Sequence, residues 1–241
     1  MKSKEENIVI WLQTADEEYV AARTLLRQSF VVQGSILSAS VIEKYLKVVC
    51  LIHDISFDKQ GESGHNLIKL YDSLSEIYSE KPLNKSYLEF LNKIYKLRYP
   101  DKITEGFNAA LHQGKSLVGL DETVFKIRSR IHISSSVQEV KFRFDHLFEL
   151  KDDFLLNGNH TFGNANRADA FNQPLVWYEM RILKNGARLE THYLSKAKDD
   201  DEYCMKGLKL GSSNKEFHLQ EAPIELKNND AREEGRGDDV K

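Results

Sequence analysis

The chain is expected to be mainly α-helical: an antiparallel up-and-down helical bundle with a C-terminal β-hairpin and a disordered tail. Three observations predict this. Apolar residues recur at steps of three and four through most of the first hundred positions. Two β-prone runs flank the pair Asn185-Gly186. The last stretch carries almost no apolar side chains. The expected organisation is a helical bundle over 1–150, a loop and hairpin over 151–210, and a polar tail over 211–241.

The first helix is predicted over about 5–28, where Ile8, Trp11, Leu12, Ala15, Tyr19, Ala22, Leu25 and Leu26 form one stripe. Asp16, Glu17, Glu18, Arg23 and Arg27 fall mostly off that stripe. The second, over about 35–52, is the most apolar and reads as central, with Ile36, Val41, Ile42, Tyr45, Leu46 and Val49 in period. A third is expected over 65–78 and a fourth over 86–97. Pro100 stops the latter, because its ring disfavours helix at Tyr99. Four helices of this length joined by short or medium loops pack as an antiparallel bundle.

Beyond Pro100 the pattern is weaker. Phe107 to Leu111 reads as a helical turn, and Asp121 as the N-cap of a helix carrying Val124, Phe125, Arg128 and Ile131. Residues 137–150 read as helical or partly extended, and 157–172 as loop. The runs 175–183 and 187–194 form the hairpin. A two-residue turn at Asn185-Gly186 pairs Ile182 with Leu189, Met180 with Thr191 and Tyr178 with Tyr193 on one face. It pairs Arg181 with Glu190 and Glu179 with His192 on the other.

Composition excludes several classes. The 241 residues are 41% hydrophobic and 29% charged with a formal net charge of -3, so no global imbalance points to nucleic acid or membrane. Between Lys81 and Lys151 there is a local surplus of about five positive charges. Two cysteines, Cys50 and Cys204, in unlike settings suit a reducing compartment. The chain has no signal-peptide apolar region and no run long enough to span a membrane. A cytoplasmic location is the expectation.

Motifs for chemistry are sparse. Ala109 to Ser116 matches a relaxed phosphate-loop pattern, but a phosphate loop follows a buried strand and opens a helix, and Asp101 to Glu105 is no buried strand. The match reads as chance. No pair among the eight histidines has metal-ligand spacing, so neither metal nor cofactor is expected. There is no nucleophile elbow or local triad. Charged residues within the apolar helices say more. Glu43 and Lys47 are one turn apart and can pair, Lys44 points elsewhere, and Arg98 closes the fourth helix beside Tyr99 and Asp101. His65 opens the third helix.

These residues carry a resemblance. Trp11 with Ala15 and Ala22, Ser40-x-x-Glu43-Lys44-x-x-Lys47, His65-x-Leu67-x-x-Leu70 and Arg98-Tyr99-Pro100-Asp101 together resemble a HEPN domain, over roughly Ile8 to Asp101. The resemblance implies an antiparallel helical bundle that commonly dimerises. It implies a protein of a toxin–antitoxin or defence setting that cleaves RNA, binds a nucleotide, or partners a nucleotidyltransferase. The ribonuclease members place four to six residues between an Arg and a His, and that spacing is absent here. The expectation is therefore a non-catalytic, homodimeric module that binds a nucleotide, RNA or protein partner. Lys44, Lys47, Arg98, Tyr99 and His65 would contact the ligand, and Glu43 and Asp101 would pair with the basic groups. One alternative is an RNA-cleaving toxin with a shifted motif, using Arg128 and His132 one helical turn apart. Another is a structural assembly subunit.

Overall fold

The computed structural model of the protein describes residues 3–57, 65–99, 103, 107–131, 142–151, 153–183 and 187–197, all within the unit Met1–Leu208. The architecture is mainly helical with a small antiparallel sheet. The predicted tail, together with Pro100, Asp101, His132, Cys204 and the Asn185-Gly186 turn, lies outside the described residues.

Helix α1 spans Lys4–Arg27 and α2 spans Val31–Ile52. A capping box opens α1: the Ser3 hydroxyl accepts from the Glu6 N–H, and the Glu6 carboxylate accepts from the Ser3 N–H. The two helices run antiparallel. Lys4 at the start of α1 reaches Asp54 just past α2, and Asp16 reaches Tyr45 midway. Their shared face is the core: Leu12, Ala15, Tyr19, Ala22 and Leu26 against Val41, Ile42, Tyr45, Leu46 and Val49.

Helix α3 is shorter than the sequence suggests, Leu67–Asp72, with turns following to Tyr78. The Asn66 side chain caps it, accepting from the N–H groups of Ile68 and Lys69. Helix α4 spans Lys85–Tyr95, capped by Asn84, and runs into a 3-10 turn at Lys96–Arg98.

The next segment corrects the sequence reading. Asn108–His112 is not a helical turn but strand β1, with Ala109 and Leu111 fully buried. Helix-prone alanines become strand because β2 offers a ladder on one side and the helical core a face to fill. Helix α5 then starts at once, Gln113–Arg128, capped by the His112 ring. Asp121 is therefore not an N-cap; it sits in mid-helix, 1% exposed. Three short helices follow, α6 (Arg143–Glu149), α7 (Asp153–Leu156) and α8 (Asp169–Asn172).

Strands β2 (Leu175–Ile182) and β3 (Arg188–Ser195) form the predicted hairpin and extend β1 into a three-stranded sheet, in the order β1-β2-β3. The register is one residue off the predicted one: Ile182 faces Arg188, Met180 faces Glu190 and Tyr178 faces His192. The Leu183 N–H donates to the Ala187 carbonyl at 2.9 Å, which leaves three residues rather than two between the arms. Tyr178 and Met180 join Ala109 and Leu111 in the core. The opposite face stacks Trp177 on Tyr193, with His112 against Trp177. Among the described residues no helix is long and apolar enough to cross a membrane.

Candidate functional site

The structure corrects the reading that Lys44 points away from the Glu43–Lys47 pair: steps of three and four put Ser40, Glu43, Lys44 and Lys47 on one side of α2, and most of the predicted site residues gather there. Lys47 is 6% exposed; its ammonium lies 2.7 Å from Glu43 and over the rings of Trp11 and Phe57. Glu43 also accepts from His65, with both carboxylate oxygens 3.0 Å from Nδ1. Asn92 on α4 holds the His65 segment in place: its Oδ1 accepts from the Leu67 N–H and its Nδ2 donates to Asn66. One turn further along α4, the Tyr95 ring stacks on His65, centroids 6.3 Å apart and planes at 18°. The Tyr95 hydroxyl accepts from Arg98 at 3.0 Å, and the guanidinium lies 5.8 and 5.9 Å from the centroids of Tyr95 and Tyr99.

The face is therefore a relay, Lys47–Glu43–His65–Tyr95–Arg98, flanked by Lys44. Lys44 is held by Glu18 and the Ser40 hydroxyl, both at 2.6 Å. Of its three cations, Arg98 alone has no carboxylate at ion-pair distance among the described residues. Its pKa is raised, first by the hydrogen bond to Tyr95, then by the two tyrosines, and last by the charge of Glu18. Arg98 and Tyr99 are exposed. The His65 ring donates Nδ1–H to Glu43, so Nε2 is an acceptor in the neutral ring and a donor in the charged one.

Arg128 is placed elsewhere. Its Nε donates to Asp16 at 3.2 Å, one terminal nitrogen to the Ile131 carbonyl at 3.1 Å and the other to Asp145 at 2.9 Å, with Phe144 under the guanidinium. Asp16, 1% exposed, also accepts from Tyr45 at 2.5 Å, and its Oδ2 has no partner among the described residues. Burial raises the Asp16 carboxyl to about 6, against the pull of Arg128. Asp16 and Glu18 are two residues apart, about 200° around α1. Arg128 and Lys44 are thus held on different faces of that helix and do not converge.

A second buried network was missed by the sequence reading. Arg23, fully buried, donates Nε to both oxygens of Asp121 at 3.1 Å and a terminal nitrogen to the Asn157 carbonyl at 2.8 Å. Tyr19 donates to Asp121 at 2.8 Å, and Asn159 donates to the Tyr19 hydroxyl at 3.0 Å. The signal was present in the period: Leu12, Ala15, Asp16, Tyr19, Ala22, Arg23 and Leu26 are all on the buried stripe of α1. Asp16 and Arg23 are read off it only because of their residue type.

The phosphate-loop match has a plain structural account. A buried strand does precede a helix here, but the strand is the motif itself, so no loop remains to wrap a phosphate. Lys115 is 5% exposed, and a Cβ on Gly114 would lie 1.8 Å from the Ala170 carbonyl oxygen. Gly114 serves close packing against α8. Among the described residues no group of three or more His, Cys, Asp or Glu is placed to hold a metal ion.

Compared with protein-family models, with curated proteins and with solved structures, the chain finds no match in any of the three.

Proposed function

We propose that this chain is a HEPN-type, non-catalytic binding module on an antiparallel up-and-down bundle, working as a homodimer in a toxin–antitoxin or defence setting. Its ligand is a nucleotide or a single-stranded RNA segment. Arg98 engages the phosphate, the exposed Tyr99 ring beside it meets a base, Tyr95 steadies Arg98, and His65 contributes a polar edge. One observation carries this reading: Arg98 is exposed, lies against two aromatic rings, and spends a single hydrogen bond on Tyr95. No carboxylate lies at ion-pair distance from it among the described residues, and Glu18 acts on it only through its charge. Lys44 and Lys47 act as positioning residues, since Glu18 and Glu43 already take their charge.

The RNA-cleaving alternative is disfavoured by the setting of Arg128. Its guanidinium is committed to Asp16, Asp145 and a main-chain carbonyl, leaving little to stabilise a phosphorane. Calorimetry with ATP and with short single-stranded RNAs tests the binding reading. Arg98→Ala is expected to weaken affinity about tenfold or more, the scale of one charge-assisted phosphate contact, and Lys44→Ala by less than about threefold. No binding of either probe by the native chain, or binding indifferent to both Arg98→Ala and Tyr95→Ala, would sink it.

A further inference from the structure

Strand β3 ends the sheet, and its outer edge is open. The Leu183 N–H donates to Ala187, so from Ala187 onward every second residue of β3 turns its main chain toward β2. The alternate residues, Arg188, Glu190, His192 and Leu194, turn their N–H and C=O groups outward, and none of these groups has a partner among the described residues. An exposed edge of this kind is normally blunted by proline, lysine or a bulge. Arg188–Ser195 contains no proline and no lysine, its two charged side chains, Arg188 and Glu190, pair with each other, and its register with β2 is unbroken from Ser195 to Arg188. Leu194, on the open edge, is 68% exposed.

We infer that this edge is the homodimer interface: β3 pairs antiparallel with β3 of a second copy, joining the two sheets into one of six strands. The open edge of β3 is self-complementary. A twofold pairing must set outward-bonding residues against outward-bonding residues, and two registers do so over seven residues of the strand. One places His192 against its own copy. The other centres on Thr191 and sets Glu190 opposite the partner's His192, twice by symmetry. On the opposite face it sets Leu189 against the partner's Tyr193, which continues the stacked Trp177–Tyr193 row across the seam. The second register matches acid with base and apolar with aromatic at its centre and lays Arg188 along the partner's Leu194 at its ends, so it is the one assigned. This inference rests on the dimer of the reading above and not on its ligand; loss of nucleotide or RNA binding leaves it intact.

Thr191 would then face its own copy as a non-hydrogen-bonded pair, with Cα atoms about 4.5 Å apart, within disulfide range. In full-length chain carrying Cys204→Ser, Thr191→Cys is expected to cross-link to a dimer under mild oxidation, and Leu189→Cys is not. Sedimentation equilibrium supplies the second arm. Glu190→Lys and His192→Glu should each weaken the dimer about tenfold, and the two together should restore it at least to within about threefold, because an acid again faces a base across the seam. Glu190→Pro removes an outward N–H that the monomer does not use and should leave a folded monomer. A native chain that stays monomeric at about 0.2 mM overturns the inference, this being a weak-dimer limit. So does a dimer unmoved by Glu190→Pro in which Thr191→Cys fails to cross-link.

Discussion

Asp121→Asn is expected to be among the most damaging single substitutions in this chain, although the side chain keeps its size. The reason is Arg23, which is fully buried and donates to both Asp121 oxygens. A guanidinium does not escape by losing its proton, so removing the carboxylate leaves an uncompensated buried charge. Breaking such a pair from one side costs about 3–5 kcal/mol, a large fraction of the roughly 5–15 kcal/mol that holds a domain together. Tyr19, which also donates to Asp121, loses its acceptor in part. Urea and thermal unfolding would show this as a fall in midpoint on the order of 10 °C for a domain of this size. An internal contrast sharpens the test. Lys4–Asp54 is an ion pair with side chains 38% and 81% exposed, so Asp54→Asn should cost under about 1 kcal/mol. Clearing the whole network with Tyr19→Phe, Arg23→Met and Asp121→Leu together should recover at least half of the loss, because apolar packing replaces the pair without stranding a charge. If Asp121→Asn costs no more than Asp54→Asn, the assignment of Arg23 to a dry, charge-paired site is wrong.

Two further expectations concern charge. Burial raises Asp16 to about 6, so its contribution to stability is full below about 3.8 and is lost as pH rises through 6. Burial lowers His112 to about 4, so its contribution is present above about 6.5 and lost as pH falls through 4. The windows overlap with opposite sign, each worth about 3 kcal/mol. Stability measured by urea titration between pH 4 and pH 6.5 should therefore change little from these two groups in the native chain, fall on acidification in Asp16→Asn, and rise in His112→Gln; parallel curves for all three proteins would refute the assignment. On the candidate binding face, Glu18→Gln releases Lys44 and removes the carboxylate that acts on Arg98. It should tighten ATP or RNA binding about threefold or more at low salt, with the gain shrinking as salt is raised, and an unchanged affinity would show that Glu18 does not face the ligand.

Much of the helical frame was legible in the sequence because its period is written in apolar residues. The predicted 5–28, 35–52 and 86–97 correspond to Lys4–Arg27, Val31–Ile52 and Lys85–Tyr95. Helix α5 was misread for the opposite reason. Gln113, Lys115, Ser116, Asp121, Thr123 and Arg128 are buried in it beside Val118, Leu120, Val124 and Ile127, so buried polar residues interrupt its apolar stripe and hide its N-terminal half. Strand β1 was hidden by its alanines, whose strand state is set by a partner more than sixty residues away in β2. The Glu43–Lys47 pair was readable from spacing alone and is present at 2.7 Å. The Glu43–His65–Tyr95–Arg98 relay was not: its residues were named individually, except Tyr95, but only the packing of α4 on α2 brings them together.

The placement of these groups on α1 explains how the proposed binding face would be held rigid without being used up. The buried side of α1 carries Asp16, Tyr19 and Arg23, which fasten α2, α5 and the segment around Asn157–Asn159. Its flank carries Glu18, which fastens Lys44. Every strong ionic contact of the helix is thereby committed to structure, and the same holds for Glu43, which fixes Lys47 and orients His65. Of the relay's cations, the one left over on the outer surface is Arg98, at the end of α4, steadied by Tyr95 from a ring that Glu43 positions indirectly through His65. A cation so placed loses little side-chain freedom when a phosphate arrives, because two rings have already restricted it. The carboxylates beneath the face therefore oppose anion binding less than their number suggests, Glu18 being the one whose charge still reaches Arg98. They pair with the two lysines and leave the guanidinium as the one cation of the relay open to the proposed ligand.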